Sequence, residues 1–297
     1  MAKAADRLSV SQPAVSKTIT ELETIVGVKL LDRHAQGVEL TSYGRLLLRW
    51  TAAVFDDIEQ GVREIEFQAD GSTGHLRIGA TESIVAGILP IVLEKLSREL
   101  KNISFDIVQA GSAAHQLQLL HNREVDVVVG RMLRHNQLAM LKTEPLFDEP
   151  LFVVANRENP LTRRKRITLS DLKNESWCIP HWDTTVGEFI RDAFEASGIE
   201  PPKSGIRTNS YHVHLQMISS GRFLSMVPAS VLKFSPFSAQ FHVLPIELPT
   251  GPAPIVVTTV ENRTISPVAS LFLKAAREVS SGLGRKKGKQ PVKRLWP

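Results

Sequence analysis

The chain has 297 residues, 42% of them hydrophobic and 23% charged, a balance ordinary for a globular protein with room for a small domain beside a larger, two-lobed one. Cys178 is the only cysteine, which excludes an intramolecular disulfide and redox sensing through a cysteine pair and leaves a buried strand thiol as the preferred reading. The formal net charge of +5 invites a claim of nucleic-acid binding, yet residues 1–40 carry five basic and five acidic groups, so any DNA affinity there must come from local placement.

Ala4, Ala5 and Leu8 give one short helix near the start of the chain its apolar face. Ser9 and Val10 make a tight turn, and Ser11 stands as N-cap of a second helix with Pro13 in its first turn. Val15, Ile19, Leu22 and Val26 recur at helical spacing as its inner face. On the opposite side lie Gln12, Ser16, Lys17 and Thr20, short polar groups suited to base edges and phosphates when a helix N-terminus enters the major groove. Gly27 stops the helix, and residues 30–33 and 38–41 flank a turn at 34–37, a β-hairpin wing. The expected DNA-contact set is Ser11, Gln12, Ala14, Ser16, Lys17, Thr20 and Arg33.

Thr41 and Ser42 cap a longer helix running to about Asp70. Its stripe of Leu47, Val54, Ile58, Val62 and Ile65 has the periodicity of a face that pairs with a partner helix. Gly71, Ser72 and Gly74 then form a hinge. From His75 the pattern alternates strand and helix through LRIGA, IVAGILPIVLEKLSREL, SFDIVQA, AAHQLQLLHN and VDVVVG, a βαβαβ lobe with a parallel sheet. Ligands of such lobes sit at the strand C-terminal ends, where Thr81, Ser83, Ser112 and Arg131 should converge on one crevice. The hydroxyls also serve as helix caps, and Arg131 reads equally well as a surface ion-pair partner. A second lobe runs from LFVVA through WCIPHW, EFIRDAFEASG, SGIRTNS, HVHLQMISSG and FLSMVPASVL, and the chain returns through PIVVTTV and PVASLFLKAAREV toward the first. The end holds Arg285, Lys286, Lys287, Lys289, Lys293 and Arg294 with no acid, so without it the charge falls from +5 to −1. With its glycines and Pro291 it reads as a basic disordered tail.

The string SQPAVSKTITELE, followed by GVKLLDR and GVELTSYG, closely resembles LysR-type transcriptional regulators, and the likeness continues through most of the chain. It implies an α/β protein with a partial winged helix-turn-helix at 1–41, a linker and dimerisation helix at 42–72, and an effector domain similar to periplasmic solute-binding proteins. That domain comprises lobe 1 at 75–150, completed by 262–280, and lobe 2 at 151–261, with the tail at 281–297. The resemblance implies a further helix ahead of AADRL, normally packed on the reader helix; without it the Val15, Ile19 and Leu22 face loses its cover. It also carries an effector role onto Thr81, Ser83, Ser112 and Arg131, and onto Asp183, Thr184, Thr185, Asn209, Ser210 and Pro228 at matching strand ends of lobe 2. Phe223 departs from the glycine common before Pro228, and GRFLSMVPASVLKFS is similar to the sub-group that regulates sugar-binding-protein and protocatechuate genes.

The function expected is a ligand-responsive DNA-binding regulator, a homodimer or tetramer, with double-stranded DNA, a small polar or anionic effector and RNA polymerase as partners. The alternative is a cytoplasmic small-molecule binder or a partner-sequestering regulator without DNA binding of its own. The longest apolar run, residues 84–93, is interrupted by Pro90 and no signal-like segment opens the chain, so no membrane partner and a cytoplasmic location are expected. No phosphate loop, nucleophile elbow or metal-binding helix motif is present, and His212 and His214 point about 200° apart on one helix. No catalytic residue, metal or cofactor is therefore expected.

Overall fold

A computed structural model of the chain describes residues 1–34, 37–71, 73–131, 141–202, 205–249, 251, 253–261, 263–281 and 283. The expected basic tail, apart from Ser281 and Leu283, lies outside the described residues, as do part of the wing turn and Ser72 of the expected hinge. The chain divides into two compact units, Met1–Gly61 and Val62–Pro297.

In the first unit, α1 (Ala2–Leu8) ends at Ser9, whose φ of 54° turns the chain left-handed. The next helix, α2 (Gln12–Val26), starts at Ser11, whose hydroxyl accepts from the Ala14 N–H at 3.4 Å, and stops at Gly27 with φ 74°. Such a C-cap favours glycine because a Cβ is strained there. The hairpin of β1 (Leu31–His34) and β2 (Gly37–Leu40) follows, then α3 (Ser42–Asp70). Thr41 ties hairpin to helix: its hydroxyl donates to the Lys29 carbonyl at 2.7 Å and accepts from the Gly44 N–H at 3.0 Å.

The inner stripe expected on α2 is only partly covered. Val15 and Ile19 are half-buried, Leu22 and Val26 remain 38% and 41% exposed, and the buried residue of the helix is Glu23. Its carboxylate accepts the Leu30 and Leu31 backbone N–H groups at 2.9 and 3.1 Å and the Lys29 ammonium at 2.8 Å. Those three donors hold its pKa down at about 2.

In the second unit, β3 (Thr73–Ala80) lies between β4 (Asn102–Gln109) and β5 (Val127–Arg131), parallel to both. The sheet is completed by β12 (Ala253–Val260), antiparallel to β5 and to β6 (Leu141–Glu149), in the order β4-β3-β5-β12-β6. The antiparallel β6, absent from the sequence reading, is amphipathic with a proline inside it. Pro145 sits where the pairing with β12 slips register, as a residue without a ladder N–H must. Helices α5 (Leu89–Glu99) and α10 (Pro267–Ser281) bring Leu96 and Phe272 into one core with Leu76 and Ile78 of β3, and α6 (Ala113–His121) follows β4.

The segment read as one helix after β3 is two, α4 (Glu82–Val85) and α5, parted by a turn at 86–88. Pro90 in the first turn of α5 suits a helix start, and a Cβ on Gly87 would overlap Ser230 Oγ and the Ser83 carbonyl. Lobe 2 lies that close.

Lobe 2 is built on β7 (Leu151–Asn156), flanked antiparallel by β10 (Ser225–Pro228) and β11 (Phe241–Val243). A parallel pair, β8 (Trp177–Ile179) and β9 (Gly205–Arg207), joins it through a bridge from Trp177 to Leu224. Helices α7 (Thr185–Ala196), α8 (Tyr211–Ser219) and α9 (Ala229–Phe234) start after β8, β9 and β10. Trp177 is fully buried, edge-on to Phe194 with centroids 5.5 Å apart, and the buried Cys178 thiol is pushed up to about 11 by desolvation. Phe223 is half-buried just ahead of β10.

Because Glu23 is depressed in the folded state, its contribution is full above the ordinary carboxylate range near 4.5 and disappears as pH falls through about 2. Glu23→Gln is therefore expected to lower the melting temperature of the Met1–Gly61 unit at pH 7, with the gap to wild type shrinking toward pH 2. Circular-dichroism melts across that range check it; a gap that does not change with pH would remove the charged carboxylate from the account.

Candidate functional site

On α2, Gln12, Lys17 and Thr20 are exposed and Ser16 is half-buried. Ser16, Lys17 and Thr20 line a shallow open groove with Pro13, Glu21 and Thr24. Lys17 is 3.8 Å from Glu21, with both side chains mostly exposed, a pair too weakly held to keep the ammonium from a phosphate. Arg33 of the wing donates to Ser16 Oγ at 3.1 Å and so braces hairpin against reader helix. Ser11 is occupied as a cap, and the Ala14 N–H is its donor. On α3, Val54, Ile58, Val62 and Ile65 are 58%, 59%, 50% and 69% exposed, and Leu47 is half-buried.

In the second unit a cleft opens where the turns after β3, β4, β8 and β9 meet. It is lined by Thr81, Glu82, Ser83, Gly111, Pro180, Thr184, Thr185, Val186, Asn209 and Tyr211, and its cavity measures about 30 Å³, the space of about one water. Lobe 1 supplies Thr81 and Ser83, whose hydroxyls are 3.1 Å apart. From lobe 2, Thr184 Oγ1 donates to the His181 carbonyl at 2.7 Å and accepts from the Gly187 N–H at 3.0 Å, capping α7. Asn209 Oδ1 accepts from the His181 N–H at 3.1 Å, tying the turn after β9 to the turn after β8.

Five of the expected effector residues thus share one cavity. Ser112, beside the lining Gly111, caps α6 by accepting from the His115 N–H at 3.2 Å. Ser210 is the N-cap residue of α8 but makes no side-chain cap bond. Asp183 is exposed outside the cavity lining, and Pro228 is buried at the start of α9.

Arg131 follows a different course. Its side chain is 3% exposed, stacked 5.3 Å from the Phe189 ring, and its Nη2 is 3.8 Å from the fully buried Glu149 carboxylate. Glu149 Oε1 in turn accepts from the Ser230 N–H at 3.2 Å, at the start of α9. The pair is neither a surface bridge nor part of the cavity lining. Desolvation pushes the carboxyl up and the guanidinium down.

Two lining residues were passed over in the sequence, Glu82 and Tyr211. Glu82 Oε1 accepts from the Tyr211 backbone N–H at 3.3 Å and Oε2 from Gln109 Nε2 at 2.5 Å, and desolvation raises its carboxyl above the ordinary range. The signal was an acid between two hydroxyls directly after a buried strand, in Thr81-Glu82-Ser83. The Tyr211 hydroxyl is buried with no hydrogen-bond partner among the described residues. His214 is buried as a neutral ring, Nε2 donating to the Thr208 carbonyl at 2.8 Å and Nδ1 accepting from Ser225 at 2.7 Å, while His212 is exposed. Among the described residues no three His, Cys, Asp or Glu side chains form a metal cluster.

These features recur in known proteins. Residues 1–45 match the bacterial regulatory helix-turn-helix protein family model, lysR family, and residues 69–281 the LysR substrate binding domain. The regulator PcaQ of Agrobacterium fabrum is 27% identical over 288 residues, 96% of this chain and 92% of its own. Full-length CbnR solved with its target DNA shares the fold at a TM-score of 0.64 and 22% identity, covering 94% of this chain and 93% of its own. The effector-binding domain of QuiR, solved with shikimate, does so at 0.59 and 21% identity over 72% of this chain and 100% of its own. With a reader helix and wing in one unit, a two-lobed cleft domain in the other, and family models matching both, the chain belongs to the LysR-type DNA-binding transcriptional regulators and is not an enzyme.

Proposed function

We propose that this regulator reads double-stranded DNA through Gln12, Ser16, Lys17 and Thr20, with Arg33 at the wing, and responds to a small hydroxylated effector held between its two lobes. The observation that carries the effector reading is the convergence of Thr81, Ser83, Thr184, Thr185 and Asn209, from three turns and both lobes, on one cavity. Hydroxyl and amide groups at strand ends satisfy a ligand rich in hydroxyls or carrying an acid group, and an apolar ligand would leave them unpaired. Shikimate in QuiR is a ligand of that class. A cavity of about 30 Å³ admits such a molecule only if the lobes separate, the hinge movement by which ligand binding would alter the state of the DNA-reading units. CbnR, solved with its target DNA, supports DNA as the partner here. We place the protein in the cytoplasm with RNA polymerase as a further partner; no helix among the described residues is long and apolar enough to cross a membrane.

The exposed stripe of α3 supports pairing of two chains through Leu47, Val54, Ile58, Val62 and Ile65 as a homodimer. Three expectations test these assignments. Gln12→Ala should reduce discrimination among operator variants by about 1–3 kcal/mol, whereas Lys17→Ala should weaken all sequences alike and flatten the salt dependence by about one unit; unchanged base preference in Gln12→Ala, read by footprinting and salt titration, removes that residue from the reading face.

For the seam, Val54→Asp with Ile58→Asp would bury unpaired charge between helices and should convert the sedimenting species to single chains. Retention of the wild-type mass would place the stripe outside the interface. For the cleft, a thermal-shift screen of hydroxylated acids and sugar acids should find a ligand that stabilises the protein by about 2.7 kcal/mol at a hundredfold excess over its Kd. Ser83→Ala with Thr185→Val should weaken that ligand by about 1–3 kcal/mol while the unliganded melt stays put. Stabilisation only by apolar compounds, or an unaltered affinity in the double variant, would assign the site elsewhere.

A further inference from the structure

The cleft's charge is not the one a cleft for an acid would lead one to seek. Arg131 is turned inward onto Glu149, and among the described residues lining the cavity there is no lysine, arginine or histidine. Among those residues the carboxylate is Glu82. It comes from lobe 1, in the first turn after β3, and its Oε1 takes the backbone N–H of Tyr211, the first residue of the nine-residue α8 in lobe 2. That N–H is one of the donors every helix start leaves free, and the N-cap Ser210 does not serve it with its own side chain. Gln109, at the end of β4, fixes the other carboxylate oxygen at 2.5 Å.

Resting on the effector reading above, we propose that Glu82 is the specificity-determining residue of the cleft: it fills the anion seat at the start of α8, keeps a ligand carboxylate out of it, and selects effectors that bring hydroxyl or ammonium hydrogens to its side. Its position supports each part. A carboxylate at a helix N-terminus is favoured by the exposed N–H groups and the helix dipole. Two bonds use about half of its lone-pair capacity, so acceptor sites remain for a ligand donor. Half-burial without a basic partner makes that donor valuable, since desolvation already raises the carboxyl. A second carboxylate brought into so small a space meets like charge in a medium of low dielectric. The buried, unpartnered Tyr211 hydroxyl belongs to the same lining residue whose N–H Glu82 holds.

Acetate tests the seat and a matched set of three-carbon acids tests the selection. In the full chain, Glu82→Ala is expected to gain a saturable thermal stabilisation by sodium acetate, absent with sodium chloride at equal ionic strength and absent in wild type and in Glu82→Gln, whose side chain still fills the seat. Acetate acting equally on wild type and Glu82→Ala, or on neither, overturns the seat. By calorimetry, wild type should favour β-alanine and 3-hydroxypropionate over malonate by about tenfold or more, and Glu82→Gln, which keeps the size and removes the charge, should narrow that preference to about threefold or less. A preference that survives in Glu82→Gln overturns the selection even if Glu82→Ala does not fold. If wild type binds none of the three while acetate still rescues Glu82→Ala, the effector reading and the selection fail and the seat stands; binding by wild type without rescue or narrowing fails Glu82 alone.

Discussion

A helix that starts at the end of a strand leaves backbone N–H groups without partners, and in an interior they cannot go to water. In this chain the groups that meet that demand are visible at four helix starts. The Ser11 hydroxyl serves α2, the Ser112 and Thr184 hydroxyls serve α6 and α7, and for α8, whose N-cap serine makes no such bond, the donor is met by a carboxylate from the opposite lobe. The side chains that make the turns possible also line the surfaces a ligand or a phosphate would touch. Polar residues collect at the strand ends, as Arg131 does after Val127, Val128 and Val129.

Buried charge is used twice, with opposite electrostatics. Glu23 is surrounded by three donors and held strongly ionised, so a single acid fastens α2 to the start of the wing. Glu149 and Arg131 have each other and few other partners: two guanidinium nitrogens and one carboxylate oxygen lack a hydrogen bond. Such a pair recovers little of its desolvation cost. Its position gives it a role other than stability, because Glu149 stands where the chain leaves β6 for lobe 2 and its other oxygen holds the first turn of α9.

Periodicity made the elements legible, and turn chemistry the strand-end residues. Ser11, Gly27, Ser112 and the alternation from His75 onward were readable because caps and apolar repeats are local properties. Arg131, Glu82 and Glu23 were not, since their surroundings are set by residues far away in sequence: Glu149, Tyr211 and the wing. A cation after a buried strand looks identical in sequence whether it faces a cleft or turns onto an acid 18 residues later. The proline within β6 hid that strand for a related reason, because its ladder is tolerated only through a register slip that no local pattern announces.

Among the described residues, the contacts between the lobes include two groups besides the packing of Arg131 on Phe189. Close to the crossover at Glu149 and Leu151, Ser230 is held by Glu149, and Gly87 approaches Ser230 so tightly that a Cβ would not fit. At the cleft mouth the hydrogen bond from lobe to lobe runs from the Tyr211 N–H to Glu82. On the effector reading proposed above, a rotation about the crossover would widen the cleft by breaking the Glu82 bond while the Glu149 contacts remain. A helix start left empty by that step must be served by water or by the effector itself. On that reading Glu82 is also the group whose release an effector would offset, and the hydrogen-bond donors the effector carries would decide how well it does so.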